Sequence, residues 1–185
     1  MEQKTNSYLK SYTGHKIDPL NPKKEQIELR DIAHALSLLC RGNGQVTHFY
    51  SVAQHCINCS LEAKERGESI RIQFGCLLHD ASESYLSDVI RPIKQHMPVY
   101  YEIEDKFLNA VFEKFGLSDL SEEEKAVIKE IDDCLLDYDL VELLKEEMPA
   151  GGYQFVRIPD VSVRPFEEVE EEYYNLAMHL MLTKE

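Results

Sequence analysis

The sequence predicts an all-α helical bundle with a short N-terminal β arm or hairpin and a minor extended piece near 153–163. Three observations carry that expectation. Apolar residues recur at steps of three and four in segment after segment from residue 31 onward. Glycine- and proline-containing stretches such as Gly42-Asn43-Gly44 and Met148-Pro149-Ala150-Gly151-Gly152 separate those segments. The β-prone pieces are confined to the first 25 residues and to the stretch after residue 152. A chain of 185 residues supports one core of ordinary size, so the expected organisation is a single domain: an arm over 1–25 and a helical body over 26–185.

The elements follow in order. Gly14, Pro19 and Pro22 break the first 25 residues and leave room only for the arm. Asp31 is placed to cap a helix through Ile32, Ala35, Leu36, Leu39 and Cys40, which Gly42-Asn43-Gly44 ends. The same spacing returns from Phe49 through Val52, Ala53, Cys56 and Ser60 and stops near Gly67, with His55 flanking the apolar stripe. Ile70 to Tyr85 is apolar on nearly all sides and predicts the most buried helix. Pro92 and Pro98 bracket a short helical piece, and Val99, Ile103, Phe107, Val111 and Phe115 then mark a long amphipathic helix. Ser121-Glu122-Glu123-Glu124 reads as a capping box opening a helix through Val127, Ile128, Ile131 and Leu135. Met148-Pro149-Ala150-Gly151-Gly152 is expected to end it. Phe166, Val169, Tyr173, Leu176, Ala177 and Leu180 make a last amphipathic helix.

Composition narrows the function. A formal net charge of −14 with no lysine or arginine run argues against nucleic acid as a general partner, because binding phosphate backbones needs a basic face. No apolar run reaches bilayer length and the first six residues have no signal-peptide core, so the expectation is a cytoplasmic protein without membrane contact. Five cysteines at 40, 56, 59, 76 and 134 stand in apolar helical contexts and read as small core residues of a reducing compartment. Cys56-Ile57-Asn58-Cys59 forms a C-x-x-C, but zinc sites of that kind need a second pair. An anionic substrate must therefore meet isolated cations, and Arg41, Arg91 and Lys94 are those near the chemically richest segment.

That segment is Cys76-Leu77-Leu78-His79-Asp80-Ala81-Ser82-Glu83, where a histidine and an aspartate close an apolar run. Burying such a pair is costly without a partner, and a divalent ion accepts both imidazole and carboxylate. His55 lies 24 residues before His79 (79−55) and Asp132 lies 52 after Asp80 (132−80), each on a helical segment. Ile128, Ile131 and Leu135 turn the Asp132 carboxylate toward the core, while Asp133 points outward. Singly, His55 reads as a satisfied core histidine and Asp132 as the partner of an arginine. Jointly, His55, His79, Asp80 and Asp132 make a four-ligand cage from three helices. Glu83, three residues from Asp80, shares its face and is placed for general acid or base work.

The ordered set Cys40-Arg41, His48 to His55, His79-Asp80-Ala81-Ser82-Glu83, Asp88 to Lys94 and Glu130-Ile131-Asp132 resembles the HD-domain superfamily of metal-dependent phosphohydrolases, in its bacterial subgroup related to 5′-nucleotidases. The resemblance implies an HD-domain bundle in which His55, His79, Asp80 and Asp132 ligate one divalent metal. It further implies that Glu83 positions or activates water, Arg41 holds the phosphate, Asp88 faces the sugar and Lys94 assists with phosphate. The metal stays open among manganese, cobalt, iron, nickel and zinc. Relatives selective for deoxynucleotides carry a tryptophan after the arginine; Gly42 stands there in this chain. Only His96 is available for the extra histidines of two-metal members, and it reads as a surface residue. The implied activity is phosphate release from nucleoside 5′-monophosphates. Hydrolysis of a nucleoside triphosphate or alarmone-type nucleotide, and a non-catalytic metal-stabilised regulatory domain, stand as alternatives. The terminal amphipathic helices leave a strip for a possible homodimer.

Overall fold

The computed structural model describes residues 8–148, 150 and 152–183. The arm is a hairpin: β1 (Leu9–Lys10) pairs antiparallel with β2 (Lys16–Ile17), in a register that sets Leu9 opposite Ile17. Helices follow as α1 (Leu29–Leu38), α2 (Val52–Glu65), α3 (Ile70–Leu78), α4 (Glu83–Leu86), α5 (Arg91–Lys94), α6 (Pro98–Phe115), α7 (Glu122–Leu144) and α8 (Phe166–Thr183). None of the helices among the described residues is long and apolar enough to cross a membrane.

The core is built around α3, which packs against α2, α7 and α8 and buries Phe74, Cys76, Leu77 and Leu78 completely. Tyr173 of α8 is equally buried, and its hydroxyl donates to the Leu77 carbonyl at 2.8 Å. Gly75 lets α7 approach closely, because a Cβ there would lie 2.3 Å from Ile128 Cδ1 and 3.2 Å from Ile128 Cγ1.

Capping agrees with the sequence where the motif is complete. Ser51 and Gln54 form a reciprocal box at the start of α2, and Ser121 and Glu124 form the expected one at α7. Asp31 departs from its expected role. Glu28 is the residue before α1, and Asp31, in the first turn, accepts from the Thr13 amide at 2.6 Å and hydroxyl at 3.0 Å, so it ties down the arm. The helix also stops at Leu38. Cys40 bridges to Ser51 instead, with Val52 N donating to Leu39 O at 3.0 Å and Arg41 N to Tyr50 O at 2.9 Å. Arg41 is thereby held at the mouth of a closed loop rather than at a helix end.

Three further expectations are corrected. The helix expected over Ile70 to Tyr85 is interrupted at 79–82, where bonds tighten to three-residue steps: Ala81 N to Leu78 O, Glu83 N to Asp80 O and Tyr85 N to Ser82 O. The helix before Met148 ends four residues earlier (148−144) at Leu144, with Lys145 in the left-handed region at φ 63°; Pro149 and Gly151 lie outside the described residues. Residues 153–163, expected to be extended, form neither strand nor helix. They run as a strap along α2, their backbone groups taken up by side chains. Val156 N and Arg157 N donate to the two oxygens of Glu62, each at 2.8 Å. Asn58 exchanges two bonds with the Asp160 backbone at 2.9 and 3.1 Å, and Gln54 donates to Ser162 O at 3.0 Å.

Candidate metal and phosphate site

His55 is fully buried on α2. Its Nδ1 lies 2.9 Å from Asp139 Oδ2, and its Nε2 lies 3.2 Å from Asp132 Oδ1. His79 sits just past the end of α3, where its Nδ1 bonds the Cys76 carbonyl at 2.7 Å. A carbonyl only accepts, so Nδ1 carries a hydrogen, and Nε2 is the nitrogen turned toward the carboxylates. That atom is buried, lies 3.2 Å from Asp80 Oδ2 and 3.4 Å from Asp132 Oδ1, and has no aligned hydrogen-bond partner. The same Cys76 bond explains the break in the helix: the imidazole occupies a carbonyl that a further turn would need.

Both imidazoles therefore present a ring nitrogen to carboxylate oxygens at contact distance, an arrangement that needs positive charge between them, from a proton on the ring or from a metal ion. Ligand atoms about 3.0–3.4 Å apart are what an ion with bonds of about 2.0–2.1 Å requires. The side chains present thus fit a metal ion. His55, Cys59 and His79 offer ligand atoms within 4.8 Å of one another, as do Cys56, His79 and Asp80.

Without an ion, the same contacts act as ion pairs. Burial opposes charge on His79, but the Asp80 carboxylate, aided by Cys56 and Asp132, holds its pKa well above the imidazole range. Burial likewise works against charge on Asp80 and Asp132, and their histidine neighbours overcome it and keep both far below the usual carboxylate range. Glu83 goes the other way. Burial, then the charges of Asp80 and Asp88, push its pKa well up against the opposing pull of Arg41 and Lys94, and its Oε2 is buried without a hydrogen-bond partner.

Arg41 enters from the loop. Its Nε donates to Asp139 Oδ2 at 3.1 Å and its Nη1 to Asp80 Oδ2 at 3.3 Å. Two of its three nitrogens are thus engaged, so gripping two oxygens of an anion requires an exchange of partners. Asp88 accepts from the Gly42 amide at 3.0 Å and steadies the left-handed run Gly42–Gly44. Lys94 pairs with Glu104 and lies 5.4 Å from the centroids of the Tyr100 and Tyr101 rings. Arg91 donates to Asp132 Oδ2 at 3.0 Å and reaches Asp133 at 2.7 Å. His96 is exposed, as expected.

All eight sequence-predicted residues therefore fall in one neighbourhood, with Lys94 at its edge. Sequence reasoning missed Asp139 and the nearness of Cys56 and Cys59. Asp139 lies seven residues after Asp132 (139−132), two turns along one helix face, and that spacing was the available signal. One Asp139 oxygen serves both His55 and Arg41, tying a ligand candidate to a phosphate candidate.

No family model matches the chain. Over 113 residues it is 38% identical to the uncharacterized protein YfdR of Escherichia coli K12, covering 60% of each chain. Over 110 residues it is 40% identical to the uncharacterized protein RCAP_rcc00048 of Rhodobacter capsulatus, covering 57% of this chain and 56% of that one. The matches thus span about 60% of the length of these relatives.

Proposed function

We propose that this chain is a cytoplasmic HD-domain phosphohydrolase that holds one divalent metal ion and releases phosphate from nucleoside 5′-monophosphates. One observation carries the reading: two imidazoles, each fixed through Nδ1, aim Nε2 at the Asp80 and Asp132 carboxylates at 3.2–3.4 Å. His55, His79, Asp80 and Asp132 would hold the ion. Bound there, it would supply Lewis acidity toward a phosphoryl oxygen and a more acidic water.

The remaining steps belong to the side chains. Arg41, permanently charged and held between Asp80 and Asp139, offers Nη2 to a phosphoryl oxygen and trades its carboxylate contacts for more. Glu83, pushed toward its protonated form by burial and by Asp80 and Asp88, would donate that proton to the leaving ester oxygen. Asp88 orients the Gly42 backbone below the sugar, and with glycine there ribose and deoxyribose are only weakly discriminated. Asp139 fixes the tautomer of His55. A purely structural ion would require neither Arg41 nor Glu83.

A second reading draws on Arg91 and on Lys129, which lies 3.6 Å from Asp132. These rim cations suit a longer phosphate chain, as in a triphosphate. Both are already paired with Asp133, which favours the monophosphate.

The deciding experiment is phosphate release from 5′- and 3′-monophosphates and triphosphates, each with manganese, cobalt, iron, nickel or zinc added. The expected result is faster cleavage of 5′-monophosphates, with Arg41→Lys acting as a loss. Equal rates on both monophosphates, or activity confined to triphosphates, overturns the substrate assignment.

A further inference from the structure

Below the charged rim, the floor of the site is made of thiols. Cys59 is four residues after His55 (59−55), one turn along α2, and both are fully buried. Its Sγ lies 3.4 Å from His55 Nε2, the nitrogen that faces Asp132. The thiol can donate S–H to that nitrogen, and an ion bound there would meet the sulfur at the same position. Cys56, by contrast, groups with His79 and Asp80. For an ion with a bond of about 2.3 Å to sulfur and about 2.0–2.1 Å to nitrogen, two neighbouring donors of a four- or five-coordinate centre lie about 3.1–3.6 Å apart. The observed separation falls in that range.

We infer that Cys59 is a further ligand of the ion held by His55 and His79, and that its sulfur biases the centre toward thiophilic zinc or cobalt and away from manganese. The inference rests on the metal reading above. Binding breaks the S–H bond heterolytically and forms a sulfur–metal bond, with the proton passing to buffer and no change of oxidation state. Soft donors select such ions, whereas a cage of nitrogen and oxygen alone suits manganese as well.

Cobalt(II) added to metal-free protein separates the two readings. Visible ligand-field absorption reports that the ion is bound, and a near-ultraviolet thiolate-to-cobalt charge-transfer band reports sulfur ligation. The expected result is both signals in wild type and Cys56→Ser, with the charge-transfer band alone lost in Cys59→Ser and the preference for zinc over manganese in competition dialysis reduced there. Cobalt bound by wild type without the band overturns the inference and leaves the cage standing. A band lost in Cys56→Ser but kept in Cys59→Ser also overturns it. Failure of wild type to bind cobalt overturns both readings. Because the wild-type spectrum alone can refute the inference, it does not depend on the variants folding; Cys59→Ala replaces the serine variant if circular dichroism shows that one unfolded.

Discussion

Two stripes of the same helix treat buried polarity in opposite ways. On one, Gln54, Asn58 and Glu62 recur every four residues and give their polar atoms to the strap over 153–163. On the other, His55 and Cys59 face Asp132, Asp139 and His79. Three of the five buried side-chain polar atoms without a hydrogen-bond partner among the described residues belong to this second region: His79 Nε2, Glu83 Oε2 and Asp139 Oδ1. Leaving such atoms unpaired costs about 1–3 kcal/mol each. The first stripe is structural, so the protein satisfies it internally. The second gathers ring nitrogens, thiols and carboxylates close enough to hold a metal ion.

The comparison breaks most visibly at the cage. His79→Ala and Asp132→Ala should each lose the metal and reduce phosphate release to background, checked by elemental analysis of the purified variants. Full metal content in both would place the ion elsewhere.

Glu83→Gln should retain the metal and lower turnover by roughly 10²–10⁴, the range for loss of general acid or base help. It also separates function from stability. Burial and the Asp80 and Asp88 charges raise the Glu83 pKa, so the folded state binds this proton more tightly than the unfolded one. Its contribution is fully present below the ordinary value of 4.5 and is lost as pH rises through the raised value. Metal-free Glu83→Gln should therefore melt above wild type at neutral and alkaline pH, with the gap closing toward acid. Parallel melting curves across pH would remove the buried charge from the account.

On the structural stripe, Glu62→Ala deletes two charge-assisted bonds to the strap and one to Arg66. A loss of about 3 kcal/mol is expected in denaturant unfolding, with metal affinity unchanged. A matching fall in metal affinity would show that the two stripes are coupled. The smallest effect is assigned to Asp139→Asn, which should weaken metal binding by about 10–100-fold while the fold persists. Unchanged affinity in a metal titration would mean that the cage orients His55 without Asp139.

The same contrast explains what the sequence disclosed. The Ser121 box and the apolar periodicity of α6 and α8 were legible because local chemistry determines them. At α6 the first position failed, since Val99 is exposed, whereas Phe107, Val111 and Phe115 are buried. Asp31 was misread because its real partner, Thr13, lies in the arm, and a capping residue looks the same when its carboxylate is used elsewhere. The strap was misread because its hydrogen bonds end on side chains, which alternation cannot distinguish from a ladder. At the site, His55, His79, Asp80 and Asp132 were readable as an ordered set. Cys59 stayed hidden because its offset of four from His55 also fits a residue of the core, and Asp139 because its contact with His55 joins two helices 84 residues apart.

Gly75 lies four residues before His79 (79−75), and Ile128 lies four before Asp132 (132−128), so their contact is one helical turn beneath the 3.4 Å separation of Nε2 and Oδ1. The spacing of His79 and Asp132 is thus set by a missing methyl group. An alanine at 75 must either swing the Ile128 side chain aside or wedge α3 from α7, and the second response widens the gap between two residues it never touches. A change of one carbon at a position that touches neither side chain is therefore enough to move His79 relative to Asp132.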